Sequence, residues 1–149
     1  MSLNHANFDK IRTSPWGAVQ HQTEIIPGMT MVHTAGHGGI HLDRKLYAKM
    51  PVYMKTTSYS SGGWYEEDCD WCLPFVVFQA EILAQGDEFS RKAIASGAHT
   101  KTFLGWHKER AEKWFAAHPV KCDECGTTHK DIENADIEDA ICCEVVLNG

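Results

Sequence analysis

The chain has 149 residues, a length that suits one domain able to bury roughly 70% of its unfolded surface. At 43% hydrophobic and 23% charged, its composition is that of an ordinary globular protein. The net charge of −6 argues against general affinity for a nucleic-acid backbone. No apolar run approaches the ~20 residues of a membrane span.

The opening "MSLNHANFDKIRTSPWG" lacks the apolar stretch of a secretory signal, so a cytoplasmic location with reduced thiols is expected. Under reducing conditions the six cysteines suit metal binding or burial better than a disulfide framework. "WGAVQHQTEII" and "MTMVHT" read as short extended segments separated by a turn at Pro27 and Gly28. Next comes "AGHGGIHL", rich in glycine and histidine, and then a polar stretch holding "KMP" and "KTTSYSSGG". "WYEEDCDWCLPFVVFQAEIL" passes from acids to apolar residues. It suggests a helix entered near Glu66 to Asp70, with Pro74 confined to its first turn and a strand "LPFVVFQ" as the competing reading. "GDEFSRKAIASGA" and "LGWHKERAEKWFAAH" follow as helices, the second with Leu104, His107, Ala111, Trp114 and Phe115 on one side. The tail "IEDAICCEVVLNG" reads as a helix leading to a strand, or as one closing strand. The expected fold is a single α+β domain over residues 1–149. It would place a short antiparallel sheet with N-terminal hairpins against two to four helices.

Three regions carry candidate chemistry. The first is "MVHTAGHGGIHL". A hairpin centred on His37 would set His33 opposite His41 and let three imidazoles converge on a metal. A single working His37, acting as general acid/base, is an alternative, since a histidine pKa lies near neutrality. A plain glycine-rich turn is another. The second is "GGWYEEDCDW", where Glu66, Glu67 and Asp68 are the candidate catalytic or cation-binding carboxylates beside His37. Thr34, Gly38, Gly39, Trp64 and Trp71 would line the substrate, the tryptophans as walls for a flat molecule. The bland alternative is a set of acids that complement a helix N-terminus and face solvent.

The third is "VKCDECGTTH", in which Cys122 and Cys125 have the C-x-x-C-G form of a zinc knuckle. His129 and Cys142 are the candidate remaining ligands, with Cys69 and Cys72 of "CDWC" as another source of thiolates or as plain core residues. A structural zinc there would stabilise residues 119–149. "KTFLGWHKERAEKWF" mixes basic and aromatic residues, but Glu109 and Glu112 dilute the charge and favour an ordinary amphipathic helix over a nucleic-acid surface.

Taken together, Trp16, Gly17, Thr34, His37, Gly38, Gly39, Ile40, Trp64, Tyr65, Glu66, Glu67, Asp68 and Trp71 resemble the signature of an uncharacterised domain family carried mainly by bacteriophages, prophages and plasmids. That signature joins a Trp-Gly opening, a Thr-x-x-His-Gly-Gly-Ile turn and a Trp-Tyr/Phe-Glu-Glu-Asp segment. The resemblance spans residues 14–80. His33, His41 and the cysteines lie outside it. It implies a mobile-element origin and expression in a bacterial cytoplasm. On that basis the expected function is a small accessory protein for host interaction or counter-defence. The competing expectation is a hydrolase or nucleotide-like ligand binder using His37 with Glu66, Glu67 and Asp68. A zinc-stabilised interaction module is the third.

Overall fold

The computed structural model describes residues 10–118. Thr13–Ser14 (β1) and Gly17–Ala18 (β2) pair as a small hairpin. His21–Ile26 (β3), Met29–His33 (β4), Gly38–Leu42 (β5) and Trp64–Glu66 (β6) form a second, antiparallel sheet in the order β3-β4-β5-β6. The expected turn at Pro27 and Gly28 joins β3 to β4, and Gly28 takes a φ of 92° that suits glycine. Arg44–Lys49 (α1) follows β5, capped by the Asp43 side chain, which accepts from the Leu46 amide at 2.8 Å.

The C-terminal part of the described chain is helical: Cys72–Val77 (α2), Gln79–Gln85 (α3), Glu88–Ser96 (α4), Ala98–Trp106 (α5) and Lys108–Ala117 (α6). The fold is therefore α+β, as the patterning implies. "LPFVVFQ" takes the helical alternative. Pro74 sits in the first turn of α2, where a missing N–H costs nothing. The apolar segment then breaks at Phe78 (φ −107°, ψ 23°), so it forms two helices rather than one. "LGWHKERAEKWFAAH" breaks similarly at His107 (φ −130°, ψ 51°).

One face of the large sheet carries Met29, Ile40, Leu42 and Tyr65, all buried. They join Leu73, Phe75, Ile82, Phe103 and Phe115 from the helices in one core. Pairing of β5 with β6 places Tyr65 directly beside Ile40 on this face. Tyr65 keeps its polar end satisfied by donating to the Met54 carbonyl at 2.7 Å.

The β4–β5 hairpin corrects one expectation. Its register pairs His33 with Gly38 and Thr30 with His41, so His33 and His41 are not opposite each other. The turn is Thr34–His37, not one centred on His37. Thr34 sets it. Its amide donates to the His37 carbonyl at 2.8 Å, its hydroxyl donates to the same oxygen at 2.7 Å and accepts from the His37 amide at 3.1 Å. This closure displaces the register by an odd number of residues, which sends His33 and His41 to opposite faces. A three-histidine site of His33, His37 and His41 is thereby ruled out. The histidine that does pair with His33 is His21, on β3.

Candidate functional site

The histidine turn folds against the acidic segment. Gly39 pairs with Glu66, Ile40 with Tyr65 and His41 with Trp64, and the Glu67 amide donates to the Gly38 carbonyl at 3.0 Å. His37 Nδ1 consequently lies 3.9 Å from Glu67 Oε2. Both side chains are exposed, at 67% and 42%, so water screens the pair and its worth to the fold is small.

Trp16, Gly39 and Trp64 hold that junction together. A methyl group on Gly39 would collide with the Trp16 ring and the Tyr65 carbonyl, so only glycine leaves room for the indole on the strand. Trp16 in turn meets Trp64 edge-on at 5.6 Å, and the His41 ring lies 4.4 Å from Trp64. Burial lowers the His41 pKa, an effect that Asp43 partly opposes. Trp71 packs edge-on against Phe75 at 5.1 Å and borders the core. Trp64 and Trp71 thus lean on different partners.

The four acids of the segment have four different fates. Glu66 folds back over the turn that follows it. Its Oε2 accepts from the Asp68 amide at 2.9 Å, and its Oε1 accepts from the amides of Cys69 and Asp70 at 2.6 and 2.9 Å and from the Cys69 thiol at 3.0 Å. Burial pushes the Glu66 pKa up, but these hydrogen bonds outweigh it and hold the carboxyl below its ordinary value. Glu67 faces His37. The side chain of Asp68 is exposed. Asp70 is buried completely.

Around Asp70 lies a polar network that the sequence did not reveal. Asp70 Oδ2 accepts from Thr57 Oγ1 at 2.5 Å and Ser60 Oγ at 2.6 Å. Its Oδ1 lies 3.1 Å from His107 Nε2, which donates more directly to the Cys69 carbonyl at 2.8 Å. Arg110 stands 3.4 Å from the other ring nitrogen and is anchored on the carbonyls of Tyr53 and Thr56. Burial raises the Asp70 pKa; His107 and the two hydroxyls lower it more, so the net shift is downward. The hydroxyl of Ser60 points at the aspartate rather than the histidine, so this is not the order of a nucleophile–base–acid triad. The network ties the loop before β6 to the starts of α2 and α6.

Glu66, Cys69 and Asp70 also place one ligand atom each within 4.8 Å of one another, a set that could hold a metal ion. The donors are largely committed, however: Glu66 Oε1 already accepts from three groups and Asp70 Oδ2 from two. Burial and the neighbouring Glu66 push the Cys69 thiol up to about 12, so at neutral pH it is a thiol and not a thiolate ligand. Cys122, Cys125, His129 and Cys142 lie outside the described residues.

A model for a domain of unknown function (DUF7007) matches residues 9–136. The chain belongs to this family. No curated protein and no solved structure matches it. The DUF7007 match takes in every described residue. Two cavities open on this DUF7007 domain away from the histidine–acid junction. One of about 300 Å³ is lined by His33, Met31, Asp87 and Phe89, and one of about 420 Å³ by Asp43, Lys45, Lys49 and Glu81. His37, Glu66, Glu67 and Asp68 line neither.

One further buried group gives the DUF7007 domain a pH-dependent stability. His99 is 3% exposed, and burial lowers its pKa from 6.5 to about 4. The unfolded chain takes up this proton near pH 6.5 while the folded chain resists, so stability is full above pH 6.5 and declines as pH falls toward 4. The expected loss is about 3 kcal/mol by linkage. From about pH 4.5 downward the lowered carboxyls of Glu66 and then Asp70 add loss of the same sign. Urea unfolding at a series of pH values checks this, and His99→Gln should flatten the profile between pH 6.5 and 4. A variant profile as steep as that of the natural protein would reject the assignment.

Proposed function

We propose that this protein is a small accessory protein of phage or other mobile-element origin that works in the bacterial cytoplasm by binding a host protein. What carries the reading is the occupation of the signature residues. Thr34, Gly39, Trp16, Trp64 and Glu66 are all spent on closing the turn, seating the indole and capping the segment before α2. A signature devoted to holding a scaffold suits a protein that presents a surface. The net charge of −6 favours a protein partner with a basic face over nucleic acid.

Affinity capture from a bacterial lysate tests this, run beside an unrelated acidic protein of equal size. A defined host protein, retained by this chain and not by the control, and released as salt is raised, is the expected result. Recovery of the same proteins on both would defeat the reading.

The 3.9 Å approach of His37 to Glu67 favours a second reading, a hydrolase or nucleotide-like ligand binder in which His37 moves a proton. The two readings part on one variant. Under the first, His37→Ala combined with Glu67→Gln changes unfolding free energy by less than ~0.5 kcal/mol and leaves capture intact, because both side chains are exposed. A purified-protein assay showing hydrolysis lost in that variant would favour the second. Zinc held by Cys122, Cys125, His129 and Cys142 is proposed as a stabiliser of the C-terminal segment, to be tested by metal analysis of the purified chain.

A further inference from the structure

β3 ends the large sheet: among the described residues it pairs with β4 alone. The hydrogen bonds around the β4–β5 hairpin fix which of its main-chain groups are open. Thr34 bonds toward β5, its amide donating to the His37 carbonyl, whereas the His33 carbonyl faces the other way and accepts from the Gln20 amide at 2.8 Å. Alternation then makes His21 and Thr23, paired with His33 and Met31, the positions bonded to β4. The N–H and C=O groups of Gln22 and Glu24 point outward from the sheet edge, spaced as an added strand would meet them. The cavity of about 300 Å³ lies beside this edge, lined by Thr23, Ile25 and Met31 from the sheet and by Asp87 and Phe89 from the start of α4. Phe89 is 75% exposed. Asp87 caps α4 with Oδ2, which accepts from the Ser90 amide, while its Oδ1 is buried and accepts no hydrogen bond.

Resting on the host-binding reading above, we propose that the outer edge of β3 takes up an extended segment of the host protein as a fifth strand. One apolar side chain of that segment sits in the cavity, and a lysine or arginine beside it meets Asp87. Main-chain bonds to Gln22 and Glu24 set the register, and the cavity selects the side chain. The partner residue opposite Thr23 puts its side chain on the Thr23 face, over the cavity, because directly paired residues share a face. Ile25, Met31 and the Phe89 ring are the apolar walls there, and aromatic side chains of this kind are enriched at the centres of protein interfaces. Asp87 is the one carboxylate of the lining, so the matching group on the partner is a cation. The bulge between Glu24 and Ile26 ends the open stretch. Pairing is therefore short, and the side-chain seat supplies most of the affinity. A second copy of this chain fits less well, since β3, "HQTEII", brings no lysine or arginine to Asp87.

The test is selection of a phage-displayed library of random linear peptides on the full chain, followed by titration of the best peptide. The variants are Phe89→Ala, Asp87→Asn and Glu24→Pro, with Trp106→Ala, exposed on another helix, as the control. Each is checked for folding by circular dichroism. Glu24→Pro removes an outward amide and no bond to β4. Selected peptides that join an apolar residue to a lysine or arginine, and that slow hydrogen exchange at the Gln22 and Glu24 amides, are the expected result. Their affinity should fall by about tenfold or more in each of the first three variants and stay unchanged in Trp106→Ala. Should Glu24→Pro fail to fold, Phe89→Ala and Asp87→Asn carry the comparison. No selected peptide, protection away from β3, equal affinity across all variants, or a dimer of this chain that Glu24→Pro dissolves would overturn the proposal. Capture of one host protein from lysate by the natural chain and by all three variants alike would overturn this site alone and leave the host-binding reading standing.

Discussion

Gly39→Ala is expected to destabilise the protein by about 3 kcal/mol, the upper part of the range for overpacking a closed site. The added methyl meets two obstacles at once, the Trp16 ring and the Tyr65 carbonyl. The indole could swing away, giving up its edge contact with Trp64. The carbonyl cannot, because it belongs to β6 in the ladder with β5, and Tyr65 is itself wedged in the core. Most of the cost should therefore survive when Trp16 is removed first. Urea unfolding of Gly39→Ala, Trp16→Ala and the double variant measures this. A double variant no less stable than Trp16→Ala alone would show that the ring, not the backbone, sets the limit. A Gly39→Ala protein within 0.5 kcal/mol of the natural one would show that the indole seat contributes nothing to stability.

Asp70→Ala is expected to cost about 4 kcal/mol, because two hydroxyls lose a buried acceptor, each worth roughly 1–3 kcal/mol. Thr57 and Ser60 lose the acceptor of their hydroxyl protons, and His107 loses the carboxylate beside its Nε2. Asp70→Asn keeps the volume and one acceptor oxygen, so it should cost less. The same unfolding measurements compare the two. An Asp70→Ala protein within 1 kcal/mol of the natural one would mean that the network is ornamental to stability.

The strands around the histidine turn could be read from alternation and from Pro27 and Gly28, because those signals are local. The register could not. It depends on one threonine hydroxyl closing the turn at Thr34, which hydrophobic patterning does not encode. The acids show the same limit. Glu66, Glu67, Asp68 and Asp70 look alike in sequence, yet one caps a turn, one faces a histidine, one faces solvent and one is in the core. Those assignments follow from where the chain goes next. His107, read as one inward residue of a continuous helix, stands instead at a break between two helices, and only tertiary folding brings it to Asp70. The histidine turn and the acidic segment, far apart in the chain, are brought side by side by the pairing of β5 with β6.

The seat on Gly39 has a consequence for how the molecule opens. Trp16, on the turn of the β1–β2 hairpin, rests on a strand whose other neighbour is β6. Residues 13–18 and 64–66 are distant in the chain, yet each helps to hold the other in place through that one indole and Trp64. They should fray and re-form together, as one cooperative unit of local unfolding, with backbone amides in both segments gaining and losing protection from hydrogen exchange in step.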